Sequence, residues 1–555
     1  MDQRVAKVYC GASQIISSLG STTEQVVGAI ERYETLVTPF DDGTPTCRIN
    51  RGALNLEGLE GYTFAEQLAI MALRDVERKS GVKLSAPSSA LVLSTTKGNI
   101  DSISSDFDRS YLWQMGQRIA AYFGYSSRVV IISNACVSGV TAIAVATRMI
   151  ERGEVDNAFV VGVDVVSQFV VSGFNSFKSL SPTLCRPYDE SRDGLTIGEG
   201  CGALLLSCEE SLSPHQILVA GYGLSDDANH ISGPSRTGDG LHYAIGAAIG
   251  AAGVEPCDIG LINAHGTATP YNDDMESRAI HLSGLDGVPC NSLKPYLGHT
   301  LGASGVIEVI VAIEQMSRNL IFGVKGYNCS SLPHEMNLSG QHRATEIEHA
   351  VKCASGFGGT NAAVVLSKLS AYRANRVGER ASVNISEIAH IHLSNSEEGA
   401  VERLKREYKE LGEANLKFYK MNGLAKAGYV ASCKMLRGVE MAVDPTRVAV
   451  VLGNRSSSLD ADLQHQVIVD RALPEGASPA IFVYTLANIV AAEIAIKHRF
   501  QGESTTFVME HKDMEWLKDY SEGLLREAQC DAVLYGWCEL LHNDYDVELK
   551  LIKKI

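Results

Sequence analysis

Short apolar runs alternate with amphipathic stretches along the first 370 residues, the pattern of strands alternating with helices. VAKVYCG predicts a first strand. TTEQVVGAIERY and TFAEQLAIMALRDVERKSG carry apolar residues at helical spacing. ALVLSTTKGNI reads as a strand running into a turn, and YLWQMGQRIAAYFG as the next helix. RVVIIS and AFVVGVDVV are β-branched and predict buried strands, as do CGALLLS, ILVAGYGLS, LINAHG and AAVVLSK. GASGVIEVIVAIEQMSRN predicts a long helix. The strand–helix rhythm occurs twice before about residue 370 and points to layered α/β architecture.

Polar text dominates from 371 to 414, so the pattern predicts a domain at 1–370, a linker at 371–414 and a further unit at 415–555. The last unit repeats the beginning in order. KFYKMNGLAKAGYVASCKML matches TFAEQLAIMALRDV, AVVLGNRSSSL matches ALVLSTTKGNI, ANIVAAEIAIKHRFQG matches WQMGQRIAAYFG in rhythm, and DAVLYGWCE matches NAFVVGVDV. The position matching Cys136 falls within about EHKDM (510–514), where no cysteine stands. The tail is read as a degenerate, nucleophile-free half of the preceding fold.

The formal net charge of −16 argues against a general nucleic-acid binder. Thirteen cysteines are scattered singly, without zinc-ligand spacing, and the N-terminus lacks a long apolar signal core. A reducing, cytoplasmic setting without disulfides is expected. No apolar stretch has membrane-spanning length. The nearest, AIFVYTLANIVAAEIAI, is interrupted by Asn488 and Glu493 and reads as a buried core helix.

Candidate chemistry lies at turns. In SNACVSGVTAIAVATRMIERG, Cys136 falls where strand RVVIIS gives way to a helix that Gly153 is placed to stop. A thiol there faces the positive end of the helix dipole, which favours thiolate, although a free cysteine is often just a small buried hydrophobe. His265 ends the strand of LINAHGTATPYNDDMESRAIH. Lys294 and His299 precede the helix of NSLKPYLGHTLGASGVIEVIV, with Glu308 inside it, and Phe357 stands between glycines in CASGFGGTN. Each histidine alone suits a structural hydrogen bond. A metal site built with Asp273, Asp274 and Glu276 lacks compact ligand spacing, so no metal is expected.

Together the motifs NACVSG, CRPYDESRDGLTIGEG, NAHGTATPYNDDME, NSLKPYLGHTLGASG and GFGGTN, in this order, resemble those of the β-ketoacyl-acyl carrier protein synthases of the elongating Cys-His-His type. The resemblance covers the first domain. It implies a thiolase-like α-β-α-β-α sandwich of two similar halves, usually dimeric. It implies Cys136 as the nucleophile that takes an acyl group from a pantetheine thioester, and His265 and His299 as neutral donors to the enolate formed when malonyl thioester loses carbon dioxide. Backbone N–H groups of Cys136 and Phe357 would form the oxyanion hole, and Phe357 would gate the site. Lys294 matches the family lysine of the charge network, with Glu308 its partner. Thr267 and Thr269 match threonines that bind the pantetheine arm, Asp273 and Glu276 acids that orient the His265 loop, and Glu199 a buried structural acid. The family's second aromatic, two residues before Phe357, is here Ser355.

The resemblance implies no cofactor beyond carrier-borne phosphopantetheine. Its partners are acyl carrier protein, malonyl and acyl thioesters, and a second synthase subunit in a homo- or heterodimer. The function expected is decarboxylative condensation in bacterial fatty acid or polyene/polyketide (aryl polyene or flexirubin-like) synthesis, with the tail shaping the acyl tunnel as chain-length factors do. The alternative is a non-catalytic, chain-length-factor-like partner subunit. It predicts a missing Cys or His in the first domain, and none is missing.

Overall fold

The computed structural model describes residues 6–372, 383–395, 399–471, 476–542 and 544–555. One five-stranded pattern occurs three times. The first unit comprises β1 (Val8–Ser17), β2 (Ser89–Ser94), β3 (Val129–Ile132), β4 (Asn157–Asp164) and β5 (Gly200–Ser207), arranged in space as β1-β5-β4-β2-β3. Its β1–β5 and β5–β4 pairs are antiparallel, and β4–β2 and β2–β3 parallel.

The second unit has the same order and directions, β6-β10-β9-β7-β8. Its strands are β6 (Ile217–Asp226), β7 (Ile259–Asn263), β8 (Cys290–Asn291), β9 (His349–Ser355) and β10 (Thr360–Lys368). The third repeats it again as β11-β15-β14-β12-β13. Its strands are β11 (Ile385–Ser394), β12 (Val448–Asn454), β13 (Ser504–Val508), β14 (Ala532–Leu541) and β15 (Asp544–Lys554).

Helices α1 (Phe64–Ser80) and α2 (Leu112–Tyr122) cover the outer face of the first sheet, burying Leu68, Leu73, Met115 and Ile119 against Leu91 and Leu93. A capping box of Thr63 and Glu66 starts α1, and left-handed Gly81 ends it. Helices α3 (Ser138–Glu151) and α4 (Ser304–Arg318) lie in the central layer, with Val140, Ile143, Val306 and Ile310 in one core with Val92, Val160 and Val364. They cross backbone to backbone. A Cβ on Gly139 would lie 2.7 Å from the amide nitrogen of Val306, so only glycine permits this approach.

The first and third sheets join edge to edge. Strands β3 and β13 run antiparallel, with Ile132 opposite Phe507 and Ile131 opposite Val508. Helices α5 (Ala400–Leu411), α6 (Gly423–Leu436) and α8 (Ile489–His498) pack in one core with the third sheet. That core holds Leu404, Val430, Ile494, Val450, Leu534 and Leu549. Between α6 and α8 in sequence, α7 (Leu459–Arg471) packs towards the first unit, and after α8, α9 (Met514–Arg526) lies on the side facing α3.

The boundaries differ from the sequence reading. Within 371–414, read as a linker, β11 and α5 are formed, so the third unit begins with its edge strand. Residues 373–382 and 396–398 of that segment lie outside the described residues. Strand β11 is paired only with β15 and is mostly solvent-facing, while α5 buries only Ala400, Leu404, Glu407 and Tyr408. Elements with so little apolar content read as linker text.

No single helix among the described residues is long and apolar enough to cross a membrane. Pro479–Thr485 and α8 form a pair bent by 102°. Phe482, Val490, Ala491 and Ile494 of that pair are core residues.

Candidate active site

The Cys136 turn begins as β3 ends at Ile132. Ala135 adopts φ +49°, a single 3₁₀ turn spans Ala135–Val137, and α3 starts at Ser138, which leaves Cys136 at the helix N-terminus. The Ser138 hydroxyl accepts from the Asn134 N–H and donates to the Ala135 carbonyl. The third unit fixes the same turn from outside. The Asn134 amide donates to the Ser504 carbonyl at 2.9 Å and accepts from the Thr506 N–H at 2.8 Å.

His265 follows β7. Its N–H donates to Glu276 Oε1 at 2.6 Å, the Gly266 N–H to Glu276 Oε2 at 2.8 Å, and the Thr267 N–H to Asp273 Oδ1 at 3.1 Å. Asp273 and Glu276 also accept from the Tyr188 N–H and hydroxyl. The two acids therefore shape the loop from behind. Asp274 stands apart, paired with Arg192 at 2.7 Å. Glu199 lies away from the site and accepts from the N–H groups of Ile49 and Val166.

His299 is carried by the turn before α4, and its Nε2 lies 3.1 Å from Cys136 Sγ. The rings of His265 and His299 are 5.3 Å apart and nearly perpendicular. Their tautomers follow from their partners. The Leu301 N–H points at His299 Nδ1 at 3.3 Å, and the Lys294 ammonium at His265 Nδ1 at 3.3 Å. Each Nδ1 faces a donor, so each proton sits on Nε2, the nitrogen directed into the site.

Burial holds both imidazoles well below their usual range, reinforced by the Lys294 and Lys352 charges. They are neutral Nε2–H donors. Burial pushes the Cys136 thiol up to about 12, against the pull of Lys294. The resting residue is a thiol. The N-terminus of α3 and the His299 Nε2–H favour its thiolate form.

The Lys294 ammonium lies 3.0 Å from Glu308 Oε1 and also donates to the His265 carbonyl. Burial acts to raise the Glu308 carboxyl, but Lys294 and Lys352 outweigh it and hold it below the usual range. The sequence reading missed Lys352, which looks like an ordinary polar interruption in HAVKCAS.

Cys136, His265 and His299 also offer three ligand atoms within 4.8 Å of one another. That donor set suits a soft divalent metal by residue type, but the Lys294 ammonium borders His265 directly, and positive charge there opposes a cation. The acids weighed with the histidines are engaged elsewhere: Asp273 and Glu276 on backbone N–H groups, Asp274 on Arg192.

Two cavities meet at Cys136. A cleft of about 1260 Å³ is bordered by Cys136, His265, His299, Thr267, Thr269 and Phe357. The hydroxyls of Thr267 and Thr269 lie 2.8 Å apart on its wall. Behind Cys136 a pocket of only about 20 Å³, room for one water, is lined by Lys97, Val170, Phe174, Leu301, Phe357 and, from the third unit, Phe482 and Leu486. Phe357 borders both spaces. Its ring packs on Phe174 and Phe177, at 6.2 and 5.3 Å between centroids.

At the position of the family's second aromatic, the Ser355 hydroxyl donates to Asn361. Phe174, Phe177 and Phe482 supply the aromatic surroundings that sequence reasoning did not locate. Gly356 packs so closely that a Cβ there would lie 3.2 Å from the Cys136 nitrogen.

Comparison with known proteins gives a consistent picture. Residues 76–211 match the β-ketoacyl synthase N-terminal domain and residues 217–327 the β-ketoacyl synthase C-terminal domain. The 3-oxoacyl-[acyl-carrier-protein] synthase 2 of Staphylococcus aureus (strain COL) is 32% identical over 253 residues, 43% of this chain and 61% of that protein. Its namesake from Vibrio cholerae is 33% identical over 262 residues, 43% of this chain and 62% of that protein. The chain thus spans about 61% of the length of the first of these curated relatives.

Among solved structures, the ketosynthase ApeO in complex with its chain length factor ApeC from Xenorhabdus doucetiae is 27% identical, with a TM-score of 0.60 over 65% of this chain and 98% of that one. The PfaC keto synthase–chain length factor superposes on 99% of this chain and 78% of its own, with a TM-score of 0.81 at 14% identity, a likeness of fold alone. These neighbours are thiolase-fold ketosynthases.

Proposed function

We propose that the chain is a β-ketoacyl synthase and that it extends a carrier-bound acyl chain by two carbons through decarboxylative condensation with a malonyl thioester. The observation that carries this reading is the convergence of Cys136 Sγ with two imidazoles held as Nε2–H donors.

In the first step the Cys136 thiolate attacks the acyl thioester, and the pantetheine sulfur leaves with a proton. In the second, the bond from malonyl C2 to its carboxylate breaks. Carbon dioxide departs, and the electron pair passes to the thioester oxygen, where the Nε2–H groups of His265 and His299 receive the enolate. C2 then attacks the acyl-Cys136 carbonyl. The N–H groups of Cys136 and Phe357 hold the oxyanion until the thiolate leaves and the 3-oxoacyl product is free. Because both imidazoles stay neutral as pH falls through 6.5, decarboxylation shows no acid limb there.

The third unit takes the role of a chain length factor. It lines the pocket behind Cys136 with Phe482 and Leu486, and its own strand covers the edge of β3. The likeness to a ketosynthase in complex with its chain length factor supports placing the reaction in polyene or polyketide synthesis. Thr267 and Thr269 receive the pantetheine arm. Arg236 and Arg278 border the cleft and offer positive charge to an acidic acyl carrier protein. Thirteen free cysteines suit a reducing cytoplasm.

Intact-mass spectrometry tests the whole reading. The protein is mixed with saturated and polyenoic acyl carriers, and malonyl carrier is then added. An acyl adduct on Cys136 that discharges into a product two carbons longer supports condensation, and preference for polyenoic chains supports the pathway. No adduct with any starter removes the nucleophile assignment.

A further inference from the structure

Strand β9 is buried along its whole length, yet it carries a lysine. Lys352 has no solvent exposure, and its ammonium lies 2.6 Å from Glu308 Oε2. It also donates to the Ala264 and Asn263 carbonyls at 3.2 and 3.4 Å. Lys294 takes the other oxygen of Glu308 and the next carbonyl, that of His265. Two ammonium groups therefore grip three consecutive carbonyls at the strand end that presents His265, with one carboxylate between them.

A buried charge is costly unless paired, and Glu308 alone balances one lysine. The second adds positive charge that acts on both imidazoles. The other titratable groups packed there are engaged with partners other than Lys352. Glu276 is spent on the N–H groups of His265 and Gly266 and the Tyr188 hydroxyl, with the Cys353 thiol 3.5 Å away. Asp273 is spent on the Thr267 and Tyr188 N–H groups. His299 and Cys136 complete the surround on the substrate side, and Asp164 accepts from the Thr96, Lys97 and Gly302 N–H groups.

Two ammonium groups so placed suit a site that must hold an anion and must not protonate its histidines. We infer that Lys352 is a second positioning residue for the decarboxylation half of the reaction. It anchors Glu308 so that Lys294 faces His265 Nδ1, and it adds positive potential where the malonyl carboxylate and the enolate form. This inference rests on the condensing activity proposed above.

The test separates the two half-reactions in Lys352→Met and Lys352→Gln, alongside the unaltered protein. Loading of Cys136 is followed by intact mass, and release of carbon dioxide from malonyl carrier is followed across pH. Met removes charge and hydrogen bonds, whereas Gln keeps a donor without the charge. The expected result is loading close to the unaltered rate in both variants, with decarboxylation lowered about tenfold. Removing a neighbouring cation lets the imidazoles take protons at higher pH, so the acid limb of decarboxylation moves up in both.

Restoration of rate and pH profile by Gln would overturn the charge role. So would parallel loss of loading and decarboxylation, the sign of a merely structural lysine, or unchanged decarboxylation in both. Melting curves identify a variant that fails to fold, and the other variant then decides. An unaltered protein that neither loads nor decarboxylates would instead overturn the condensing activity itself.

Discussion

Helices α3 and α9 occupy matching places on either side of the β3–β13 seam, and their surfaces are opposites. One residue offset makes Ile131 equivalent to Phe507, each standing opposite the residue that follows the other, and Ser138 equivalent to Met514 at the two helix starts. By that register Ala142, Ile143, Ala146 and Ile150 of α3, all buried, correspond to Lys518, Asp519, Glu522 and Arg526 of α9, which face or border solvent. The difference has one cause. Helix α3 lies between two sheets, whereas α9 has a sheet on one side and, among the described residues, no second sheet on the other. The same offset places Lys512 opposite Cys136, and its ammonium is paired with Asp546 and Glu548 at 2.9 Å. The third unit has kept the strand order of the fold and the face that meets the first unit, and has turned its remaining face into surface.

Exchanging residues between the two helices breaks the comparison most severely. Ile143→Asp places an unpaired carboxylate between two sheets and is expected to cost about 4 kcal/mol or more, leaving little folded protein. Asp519→Ile, the reverse change at the matching position, is expected to alter stability by about 0.5 kcal/mol at most. Denaturant melts of both variants check this. Equal effects would show that the two helices do not share a register.

At the nucleophile position, Cys136→Ala is expected to lower acyl loading by about a thousandfold or more. Lys512→Cys installs a thiol in the third unit without the two imidazoles and is expected to gain no adduct. Mass spectrometry after proteolysis reads both.

Where the units meet, Phe482 closes the pocket behind Cys136. Its ring lies so near Gly173 that a Cβ there would come within 2.1 Å of it. Phe482→Ala is expected to open the pocket and raise kcat/KM for longer acyl chains about tenfold, relative to the shortest accepted chain. Competition between acyl carriers of graded length measures the shift, and an unchanged length preference would remove the third unit from chain selection.

The seam also carries a pH signature. Lys97 and Asp462 form a buried pair across it at 2.7 Å. Burial raises Asp462 to about 6 from its usual 3.8, with Lys97 opposing. Between those values the unfolded chain has released a proton that the folded chain retains, so stability falls as pH rises through this window. The double variant Lys97→Met with Asp462→Asn is expected to reduce that slope and to be at least as stable near neutrality. The slope is not abolished, because Asp227 is raised to about 6 and Asp273 to about 7, chiefly by burial. Denaturant titrations from pH 4 upward decide it.

The sequence was most legible where chemistry sits in glycine-bearing turns. Cys136, His265, His299 and Phe357 each follow or interrupt such a turn, and Lys294, Glu308, Asp273 and Glu276 lie within a few helical turns of them. Strand order in the third unit was hidden because β11 and α5 are too polar to look like structure. Lys352, Asn134 and Phe482 were hidden for another reason. Their significance lies in partners far away in sequence: Glu308 and Ala264 for the first, Ser504 and Thr506 for the second, Gly173 for the third. A lysine in a buried strand has meaning only once the carboxylate that it meets is known.

The finest contact between the units is at the Phe357 loop, the gate of the proposed reaction. The Asn488 side chain, fully buried at the start of α8, donates to the Phe357 carbonyl at 2.8 Å. It sits so close to the loop that a Cβ on Gly358 would lie 2.4 Å from its nitrogen. The loop has other anchors, the Gly358 N–H on the Ile231 carbonyl and the Gly356 N–H on that of Thr360. Loss of the amide should therefore loosen the gate without unfolding it. Asn488→Ala is expected to slow condensation about threefold, the worth of one ordinary hydrogen bond, with little change in melting temperature. Asn488→Asp should be worse than Ala, because a carboxylate oxygen then faces the Phe357 carbonyl with no proton between them. Single-turnover condensation by both variants checks the order. If both match the unaltered protein, the third unit shapes the acyl pocket but does not hold the gate. If Asp is the slower, one side chain of the unit that lacks a nucleophile steadies the loop that serves the nucleophile of the other.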